Sequence, residues 1–349
     1  ANHYKGSYSS MYKYHSTNGY KIVELPSIKN HEVQWLCAEQ IEKTDYLLSP
    51  IFKLDSSKRI NKIFFDKQQQ NPFKKSCVYI PEEIKIDENL SQLIGIYLAE
   101  GNINKDLHGI TFTIHKEEKW LREQIISLIN KCFKITEEHI TISSKKGSEA
   151  ISIQINSTPL GRWFNNFCNG VSYTKQVPYF IKNSSSRTQL DCLYGFFYGD
   201  GYARKRKNRS FEAKCTSTSY QLIQDLWQIA ANNHYNCSIL TELPPTGKRK
   251  HTIYNLMFYG KTAECLYNSK YLNILDYNWE FEDYISYNGS NYYKIKINDI
   301  YSNPYEGPVY CLETPSHNYL LNNIVSHNCR GLNIDNDIAQ YLSSMIESD

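Results

Sequence analysis

Two nine-residue stretches decide the fold of this chain: LIGIYLAEG at residues 93–101 and LYGFFYGDG at residues 193–201. Each is a mostly apolar run of helical length, and each ends in an acid followed by glycine. Such runs predict two buried helices. Small residues four positions apart lie on one face of a helix, which would let the two helices pack backbone to backbone. These small residues are Gly95 and Ala99 in the first stretch and Gly195 and Gly199 in the second.

The likeness between the two stretches continues downstream of each. A strand predicted at 110–114 leads into an amphipathic helix with apolar residues between Trp120 and Ile129. A strand predicted at 211–215 leads into a similar helix between Leu222 and Ile229. The chain therefore contains an internal repeat of about a hundred residues, which predicts two halves of one fold.

Each stretch carries a carboxylate at the C-terminal end of its predicted helix, Glu100 in the first and Asp200 in the second. An acid there faces the negative pole of the helix dipole, which is unfavourable for stability and suggests a chemical role. Helices packed about a pseudo-twofold axis would bring the acids together, and paired carboxylates repel unless a divalent cation such as Mg²⁺ lies between them. Metal ions held in this way can activate a water and stabilise the leaving oxygen of a phosphodiester. The pseudo-symmetry would match the near-symmetry of duplex DNA.

Both stretches resemble the signature of the LAGLIDADG homing endonucleases, in the form that carries two motifs on one chain. The resemblance implies a pseudo-twofold αββαββα-repeat domain whose sheets form a saddle over the DNA major groove. It also implies a double-strand cut in a long target site with Mg²⁺, and a metal site at Glu100, Gly101, Asp200 and Gly201. Glu100 stands where the family more often has Asp, a variation that the family tolerates.

The same resemblance implies a basic residue near each acid, often in a Lys-x-hydrophobic-Pro segment before the second motif. Residues 175–178 read KQVP, which makes Lys175 the candidate to polarise the water network or the scissile phosphate. For the second half, Lys270 fits by distance along the chain and Lys261 competes with it. On composition alone, either one is expected to be a solvated surface lysine.

Two basic clusters lie where such a saddle would meet DNA, one directly after the second motif and one in a predicted hairpin loop. A run of charges is commonly a solvated face, but beside the repeated acids it favours phosphate neutralisation and contact with guanine edges. The basic residues are Arg204, Lys205, Arg206, Lys207 and Arg209 in the first cluster and Lys248, Arg249 and Lys250 in the second.

A second chemistry is suggested near the other end of the chain, where residues 327–329 read His-Asn-Cys. An Asn side-chain amide can attack its own backbone carbonyl and break the following peptide bond, while a neighbouring His protonates the leaving amine. A Cys directly after the Asn can first accept an acyl group as a thioester. The tripeptide alone could be only a turn, but the whole stretch 309–329 resembles the C-terminal splicing motifs of inteins.

The intein resemblance implies a role for each of these residues. Asn328 would cyclise, His327 would assist it, His317 would polarise the scissile carbonyl, and Cys329 would be the first residue of the host protein. Cys311 stands where many inteins carry Asp. It could tune the first acyl shift, act as a nucleophile in a branched pathway, or only pack.

The start of the chain is similar to an intein from which the first motif is missing. Residues 35–47 resemble a later intein segment, and His15 lies where a Thr-x-x-His motif is expected, although Tyr12 replaces the Thr; His31 competes weakly. Ala1 has no acyl-shift chemistry. We therefore expect a split intein whose N-terminal fragment supplies the first nucleophile, with truncation of a contiguous intein as the rival.

The sequence thus predicts an α+β chain in which a mostly β, Hint-type splicing domain is interrupted by the endonuclease domain. The predicted boundaries are 1–55 and 293–328 for the splicing domain, 56–84 for a connector, 85–292 for the endonuclease and 329–349 for the C-extein of the host protein.

Composition permits this interpretation and excludes others. The 349 residues have a net charge of +3, which is too small to indicate a polyanion partner without the local clusters. No stretch is apolar enough to predict a membrane span or a signal peptide. The ten cysteines are scattered singly, without metal-binding spacing, so reduced thiols in the cytoplasm are expected.

The partners expected from these observations are double-stranded DNA, an N-terminal intein fragment with its extein, and the host extein. The endonuclease is expected to be monomeric and to use Mg²⁺, whereas splicing is expected to need no cofactor. Two alternatives stay open at this point: an intein whose nuclease has decayed, and a DNA-binding module without cleavage.

Overall fold

A computed structural model describes the chain in two compact units. One is Ala1–Pro50 with Tyr284–Asp349, and the other is Ile51–Asp283. The described residues are 2–5, 11–16, 19–24, 32–51, 59–65, 78–144, 147–207, 211–235, 237–244, 251–272, 284–287, 289–297, 299–304, 306, 318–321 and 324–327.

Strands and helices of the described residues alternate through most of the chain. The strands are β1 (Asn2–Lys5), β2 (Met11–Ser16), β3 (Gly19–Glu24), β4 (Glu32–Trp35), β5 (Tyr46–Pro50), β6 (Lys62–Phe64), β7 (Glu83–Lys85), β8 (Gly101–Ile103), β9 (Ile110–His115), β10 (Ile140–Ser144), β11 (Ala150–Ile155), β12 (Gly201–Lys205), β13 (Phe211–Ser217), β14 (Cys237–Glu242), β15 (Ile253–Tyr259), β16 (Tyr284–Tyr287), β17 (Ser290–Lys296), β18 (Asn318–Leu321) and β19 (Ile324–His327). The α-helices are α1 (Glu88–Glu100), α2 (Lys119–Phe133), α3 (Thr158–Cys168), α4 (Tyr179–Lys182), α5 (Ser186–Asp200), α6 (Tyr220–Asn232) and α7 (Gly260–Leu272).

The unit formed from both ends of the chain is built from strands. Its main sheet has the order β16-β17-β5-β1-β4, and all neighbouring strands are antiparallel. Two hairpins, β2–β3 and β18–β19, accompany it. Leu48 and Ile285 are buried together with Tyr292 packed against them, so residues from both ends of the chain share one core.

The unit Ile51–Asp283 contains two halves with the same order of elements. The first half runs α1-β8-β9-α2-β10-β11-α3, and the second runs α5-β12-β13-α6-β14-β15-α7. The sheets also correspond, because in each one the four strands lie in the order first, second, fourth, third. This is the element order predicted for the repeat.

The two motif helices form the centre of this unit. Asp87 caps the N-terminus of α1 and Ser185 that of α5, each through its side-chain oxygen. A Cβ at Gly95 would lie 2.1 Å from the Cys192 carbonyl oxygen, and one at Gly195 would lie 2.3 Å from that of Gln92. The predicted backbone-to-backbone packing of the two helices is therefore confirmed.

The boundaries of the units differ from the predicted ones at three places. The first piece of the strand-built unit ends at Pro50 and not at residue 55. Within the predicted connector, β6 and β7 form a hairpin that belongs to the helical unit. Ile63 and Ile84 are each buried between two exposed neighbours, so each of these short strands has one covered face. Residues 284–292, predicted to belong to the endonuclease, instead contribute to β16 and β17 of the other unit.

Among the described residues, no helix combines the length and the apolar character that crossing a membrane would require.

Candidate functional site

The helices α1 and α5 end side by side, and their last residues are the repeated acids. Glu100 ends α1 and Asp200 ends α5. The close approach is set at Gly199, where a Cβ would lie 2.8 Å from Cγ of Glu100 and 2.5 Å from Cβ of Ala99. Glu100 therefore lies directly against the last turn of α5, one residue before Asp200.

Both carboxyl groups have pKa values well above those of ordinary acids. Burial raises the pKa of Glu100 to about 7, and the negative charges of Asp200 and then Glu118 add to the shift. The pKa of Asp200 rises to about 6 because its surroundings disfavour the charged form, although its surface is still exposed to solvent. Lys175 and Lys270 oppose both shifts. Full ionisation of this pair is therefore costly unless additional positive charge is supplied.

The donor set fits a divalent cation. Within the described residues, neither the Glu100 nor the Asp200 side chain forms a hydrogen bond or an ion pair, so the carboxylate oxygens are open to a ligand. Hard carboxylate oxygens with mutual repulsion are the ligands that Mg²⁺ prefers. In the described part of the chain no group of three or more His, Cys, Asp or Glu side chains is gathered closely enough to hold a metal, so water or phosphate would have to complete the coordination.

The carbonyl oxygens of Gly101 and Gly201, predicted as further ligands, are each occupied by a lysine. Each accepts a 2.6 Å hydrogen bond, from Nζ of Lys175 at Gly101 and from Nζ of Lys270 at Gly201. A metal at these oxygens would stand next to an ammonium group. The electrostatics therefore favour the carboxylates over the glycine carbonyls as ligands.

The two lysines cap the two helix ends in the same way. Lys175 Nζ also donates to the carbonyls of Tyr97 and Leu98, at 3.1 and 3.0 Å. Lys270 Nζ also donates to the carbonyls of Phe197 and Gly199, at 3.3 and 3.4 Å. An ammonium group has three N–H donors, so each lysine uses all of them on carbonyls in or just after the last turn of its helix. The positive charge also opposes the negative pole of each helix dipole.

Burial makes the charged lysines less stable than they would be in water. Lys175 is 5% exposed, and its pKa falls to about 8 because burial disfavours the ammonium form; the nearby acids oppose that shift. The pKa of Lys270 is lowered for the same reason. Of the two lysines considered for the second half, Lys270 lies at the site, whereas Lys261 is exposed at the start of α7.

The segment that carries Lys175 is held by the second half of the repeat. The hydroxyl of Ser219, which caps α6, donates to the Lys175 carbonyl at 2.6 Å. Asp225, buried on α6, accepts from the backbone N–H of Val177 at 3.0 Å and pairs with Lys182 at 2.9 Å. The lysine at the end of α1 is therefore positioned by α6, whereas Lys270 reaches the end of α5 from α7.

One acid near the site was missed by the sequence analysis. Glu118 precedes α2, accepts a 2.9 Å hydrogen bond from the backbone N–H of His115, and raises the pKa of Glu100. Two residues later, Trp120 stacks edge-on against Tyr198 of α5 with ring centroids 5.1 Å apart, which fixes the start of α2 beside the last turn of α5. No motif in the sequence signals this contact between the halves.

The basic cluster after the second motif is divided between two faces. Arg204 and Arg206 both contact the carboxylate of Glu212 on the neighbouring strand. Lys205 turns the other way and lies 5.2 Å from the ring centre of Phe211. Lys207 is exposed. The remaining predicted DNA contacts, Arg209, Lys248, Arg249 and Lys250, lie outside the described residues.

Most of the predicted splicing residues also lie outside the described residues. These are Cys311, His317, Asn328 and Cys329. For His15 on β2 and His327 on β19 only the backbone is described, and His327 lies opposite Asn318 in the β18–β19 hairpin. The roles predicted for all of them stay predictions.

Comparison with curated proteins gives distant relatives. No family model matches the chain. The chain is 26% identical to an ATP-dependent DNA helicase Hel308 of Thermococcus kodakarensis, over 73% of this chain and 22% of the helicase. It is 28% identical to the uncharacterized protein MJ1054 of Methanocaldococcus jannaschii, over 78% of this chain and 32% of that protein. A DNA polymerase of T. kodakarensis is 24% identical over 40% of this chain and 8% of its own length. The chain thus spans about a third or less of each of these relatives.

Comparison with solved structures gives only low similarity. The homing endonuclease I-DmoI, in complex with its nicked target DNA and Mn, matches with a TM-score of 0.38 and 14% identity, over 55% of this chain and 99% of its own. I-WcaI, bound to its DNA recognition sequence, matches with a TM-score of 0.35 and 15% identity, over 54% of this chain and 82% of its own. At TM-scores this low, neither structure bears on the activity of this chain.

Proposed function

We propose that the unit Ile51–Asp283 is a metal-dependent endonuclease of the LAGLIDADG type that cuts both strands of duplex DNA at a long site. The observation that carries this proposal is the position of Glu100 and Asp200. They end two equivalent helices that touch through backbone atoms, so two acids meet on the pseudo-twofold axis of the unit. A duplex presents two strands related by a similar axis, and one acid would serve each strand.

The residues that would hold Mg²⁺ are Glu100 and Asp200. When bound, the metal would supply an activated water and stabilise the leaving oxygen of the phosphodiester. The raised pKa values of the two carboxyl groups are consistent with this, since a bound cation would stabilise the ionised forms that burial disfavours.

The two lysines support the acids by position and by charge. Each ammonium fixes the last turn of a motif helix through three carbonyls, and so fixes the backbone that carries the acid. Each also places a positive charge beside the carboxylates, where a phosphate would approach. We infer that Lys175 and Lys270 act through this arrangement and not as free proton donors, because their N–H groups are already engaged.

A cleavage selection tests the endonuclease. The full chain is incubated in Mg²⁺ with a plasmid library that carries long randomised inserts, and linear products are recovered and sequenced. The wild-type protein should recover a family of related inserts, while Glu100→Gln and Asp200→Asn should recover none. Lys261→Gln, which changes an exposed lysine away from the site, serves as the control and should retain activity.

The alternatives give different results in the same experiment. Bound duplexes of one sequence without nicked or linear product would indicate a module that binds DNA without cutting it. Nicked circles without linear product would contradict the cut in both strands. If Glu100→Gln cut as fast as the wild-type protein, the assignment of this site would be wrong.

We also propose that the unit formed by both chain ends is a protein-splicing domain. Two observations support this beyond the sequence motif. Strands β5 and β17 come from opposite sides of the inserted unit and pair in one sheet, which is the arrangement expected of a domain interrupted by another. The relatives named as a helicase and a DNA polymerase are matched over only 22% and 8% of their lengths, as expected of an element carried within unrelated hosts.

The helicase match supports the joint presence of both units. It covers 73% of the 349 residues, which is more than Ile51–Asp283 contains, so it extends into the segments on one or both sides of that unit. A match to an endonuclease unit alone would end within its boundaries.

The chemistry proposed for the C-terminal side is carried by the chain itself. The side-chain amide nitrogen of Asn328 attacks its own backbone carbonyl carbon and forms a succinimide, while the peptide bond to Cys329 breaks. His327 donates a proton to the departing amine of Cys329. In complete splicing, the thiol of Cys329 first accepts the upstream acyl group as a thioester, which then rearranges to a peptide bond.

Mass spectrometry of the incubated chain tests this step. The wild-type chain should release residues 329–349, Asn328→Ala should not, and His327→Ala should release them more slowly. Equal release from Asn328→Ala would contradict the proposal. We also propose that the intein is split. Mixing the chain with a separate N-terminal intein fragment, whose intein segment begins with Cys or Ser, should then give a ligated product.

A further inference from the structure

The outer faces of the two sheets in Ile51–Asp283 differ in chemistry although they occupy equivalent places. In each sheet the inner face is buried, because alternate residues such as Phe112 and Cys215 are fully covered. The residues between them face outward. Strand pairing aligns these outward residues into rows across each sheet, and the rows of the two sheets can be compared position by position.

The central row of the first sheet is neutral and polar. It consists of Asn102, Thr111, Gln154 and Thr141 in neighbouring positions on the four strands. The next row continues with Thr113, Ser152 and Ser143. No Lys, Arg, Asp or Glu stands in either row, so these two rows offer hydroxyl and amide groups only.

The central row of the second sheet is basic and aromatic. It consists of Tyr202, Lys214, Met257 and Ser238 on the corresponding four strands. The row equivalent to that of Thr113 contains Thr216, Asn255 and Leu240, which are uncharged. The row on the other side of the central row contains Arg204, Glu212 and Tyr259. Lys214 therefore occupies the position that Thr111 has in the first sheet, because each lies opposite the second residue of the strand that follows its motif helix.

The arginines of the second sheet are held in place and still exposed. Glu212 contacts both Arg204 and Arg206, and its own side chain is only 13% exposed. The two arginine side chains are 54% and 51% exposed. A planar guanidinium fixed by a carboxylate on one edge keeps further N–H donors free on another, which suits bidentate contact with a base. Glu212 itself is too enclosed to accept from cytosine.

These chemistries prefer different bases. Arg and Lys donate to O6 and N7 of guanine in the major groove, whereas Asn and Gln pair with adenine and Ser or Thr accept either base. We propose that the two sheets contact the two halves of one DNA site unequally: the second sheet specifies guanine through Lys214 and Arg204, and the first contacts an A·T-rich half through Asn102 and Gln154. This inference rests on the endonuclease proposed above and adds the base composition of its substrate.

A binding selection with matched variants tests the asymmetry. The full chain is incubated with randomised duplex DNA in the presence of EDTA, so that bound molecules stay uncut, and the bound fraction is sequenced over several rounds. The wild-type motif should contain specified G·C pairs in one half and mostly A·T pairs in the other.

The variant Lys214→Thr installs the residue that the first sheet has at the equivalent position. It should remove one specified guanine and lower affinity for the wild-type site about tenfold to a hundredfold, with little effect on sites that already lack that guanine. The half that changes is thereby assigned to the second sheet. Lys207→Thr, an exposed basic residue beyond β12, is the matched control and should weaken binding to all sequences alike.

The variant Glu212→Gln separates base contact from general attraction. Removing the carboxylate frees the two arginines and removes a negative charge, so affinity for random DNA should stay equal or rise while discrimination at the guanine position falls. A purely structural role for Glu212 would lower both.

Three outcomes overturn the inference, and only one of them also overturns the proposed function. A clear motif with equal G·C content in both halves would contradict the asymmetry alone. Loss of affinity for every sequence in Lys214→Thr would show that Lys214 contacts phosphate and would contradict the assignment of the guanine. A pool without any enrichment would contradict DNA recognition itself, and with it the endonuclease.

Discussion

The two halves of Ile51–Asp283 share their element order and the residues where their helices meet, but they differ in many residues elsewhere. Each half ends its motif helix in an acid, continues through glycine into a strand, and receives three hydrogen bonds from a lysine. In contrast, Glu118 before α2 has its counterpart in Ser219 before α6. The difference teaches that the shared axis tolerates little change, because a substitution there alters both halves at once.

The helix contact should be the part of this comparison that is most sensitive to substitution. Gly195→Ala places a Cβ 2.3 Å from a backbone oxygen of α1, which cannot move without separating the helices. We expect a loss of about 2–3 kcal/mol in the free energy of unfolding, despite the helix propensity that alanine adds. Urea denaturation followed by circular dichroism measures this loss.

Gly199→Ala provides the contrast within the same helix. Its added Cβ would meet side chains, Cβ of Ala99 and Cγ of Glu100, and the glutamate can rotate away. Its stability loss should be smaller than that of Gly195→Ala, whereas its cleavage rate should fall because Glu100 is displaced. Equal stability losses in the two variants would show that the contact adapts more freely than the structure indicates.

Substitution of the two lysines should have the next largest effect on stability. The loss should be greater for the more buried lysine. Lys175→Met leaves carbonyls at the end of α1 without a partner in an enclosed place, so we expect a loss of about 2 kcal/mol. Lys270→Met should cost about half as much, because Lys270 is less buried and its bonds are longer. Thermal unfolding in the absence of Mg²⁺ compares the two variants.

Labelling the two strands of the DNA duplex separately compares the same two lysine variants in cleavage. If each lysine supports one acid, Lys175→Met should slow cleavage of one strand more than the other, and Lys270→Met should show the opposite bias. Equal slowing of both strands by each variant would mean that the two acids act as one unit on both strands.

The sequence was sufficient to predict the residues where the two motif helices meet. It was insufficient to predict the residues that contact this site from other elements. The motif helices, the two acids and Lys175 were found because each is marked by local pattern or by repetition. Lys270 was found only by its distance along the chain, with Lys261 as a rival, since no motif surrounds it. Glu118 could not be predicted from the sequence. It lies near the site because Trp120, two residues later, packs against Tyr198 of the opposite half.

The same reasoning applies to the connector and to the sheet faces. Strands β6 and β7 stand on either side of a polar stretch that shows little periodicity in the sequence, and they pair with each other across it. Likewise, sequence placed Arg204 and Lys205 in one basic cluster, whereas strand alternation sends them to opposite faces. The strand pairing in the connector and the faces of Arg204 and Lys205 both depend on contacts between segments that are apart in the sequence. A single sequence does not specify such contacts.

The acids should also make the metal-free protein sensitive to pH. The pKa of Glu100 is about 7 in the fold against about 4.5 for an ordinary glutamate, so the folded state binds more protons than the unfolded state between these values. Stability should therefore fall as pH rises from about 4.5 to 7. After allowance for solvent around the site, we expect a decline of about 1–2 kcal/mol.

Glu100→Gln and Mg²⁺ give two independent checks of that decline. The variant cannot ionise at this position, so most of the decline should disappear in urea titrations at pH 5 and pH 7. Mg²⁺ should reduce the decline in the wild-type protein, because a bound cation stabilises the ionised pair. A wild-type stability that rises over this range would mean that other groups outweigh the acid pair.

The smallest effect concerns the unequal support of the two lysines. Asp225 on α6 holds the backbone of Val177 and the side chain of Lys182, and so fixes the segment that carries Lys175, while Lys270 is part of α7. Asp225→Asn keeps one oxygen acceptor but loses the charge that pairs with Lys182. We expect about 1 kcal/mol less stability, and slower cleavage of the strand that Lys175→Met affects, with the other strand unchanged.

Gln124→Ala, at the corresponding position of α2, is the control, because no hydrogen bond from it holds a lysine-bearing segment in the described part of the chain. A purely structural role for Asp225 would slow cleavage of both strands equally. Slower cleavage of one strand, with the other unchanged, would show that α6 of the second half acts on the acid of the first.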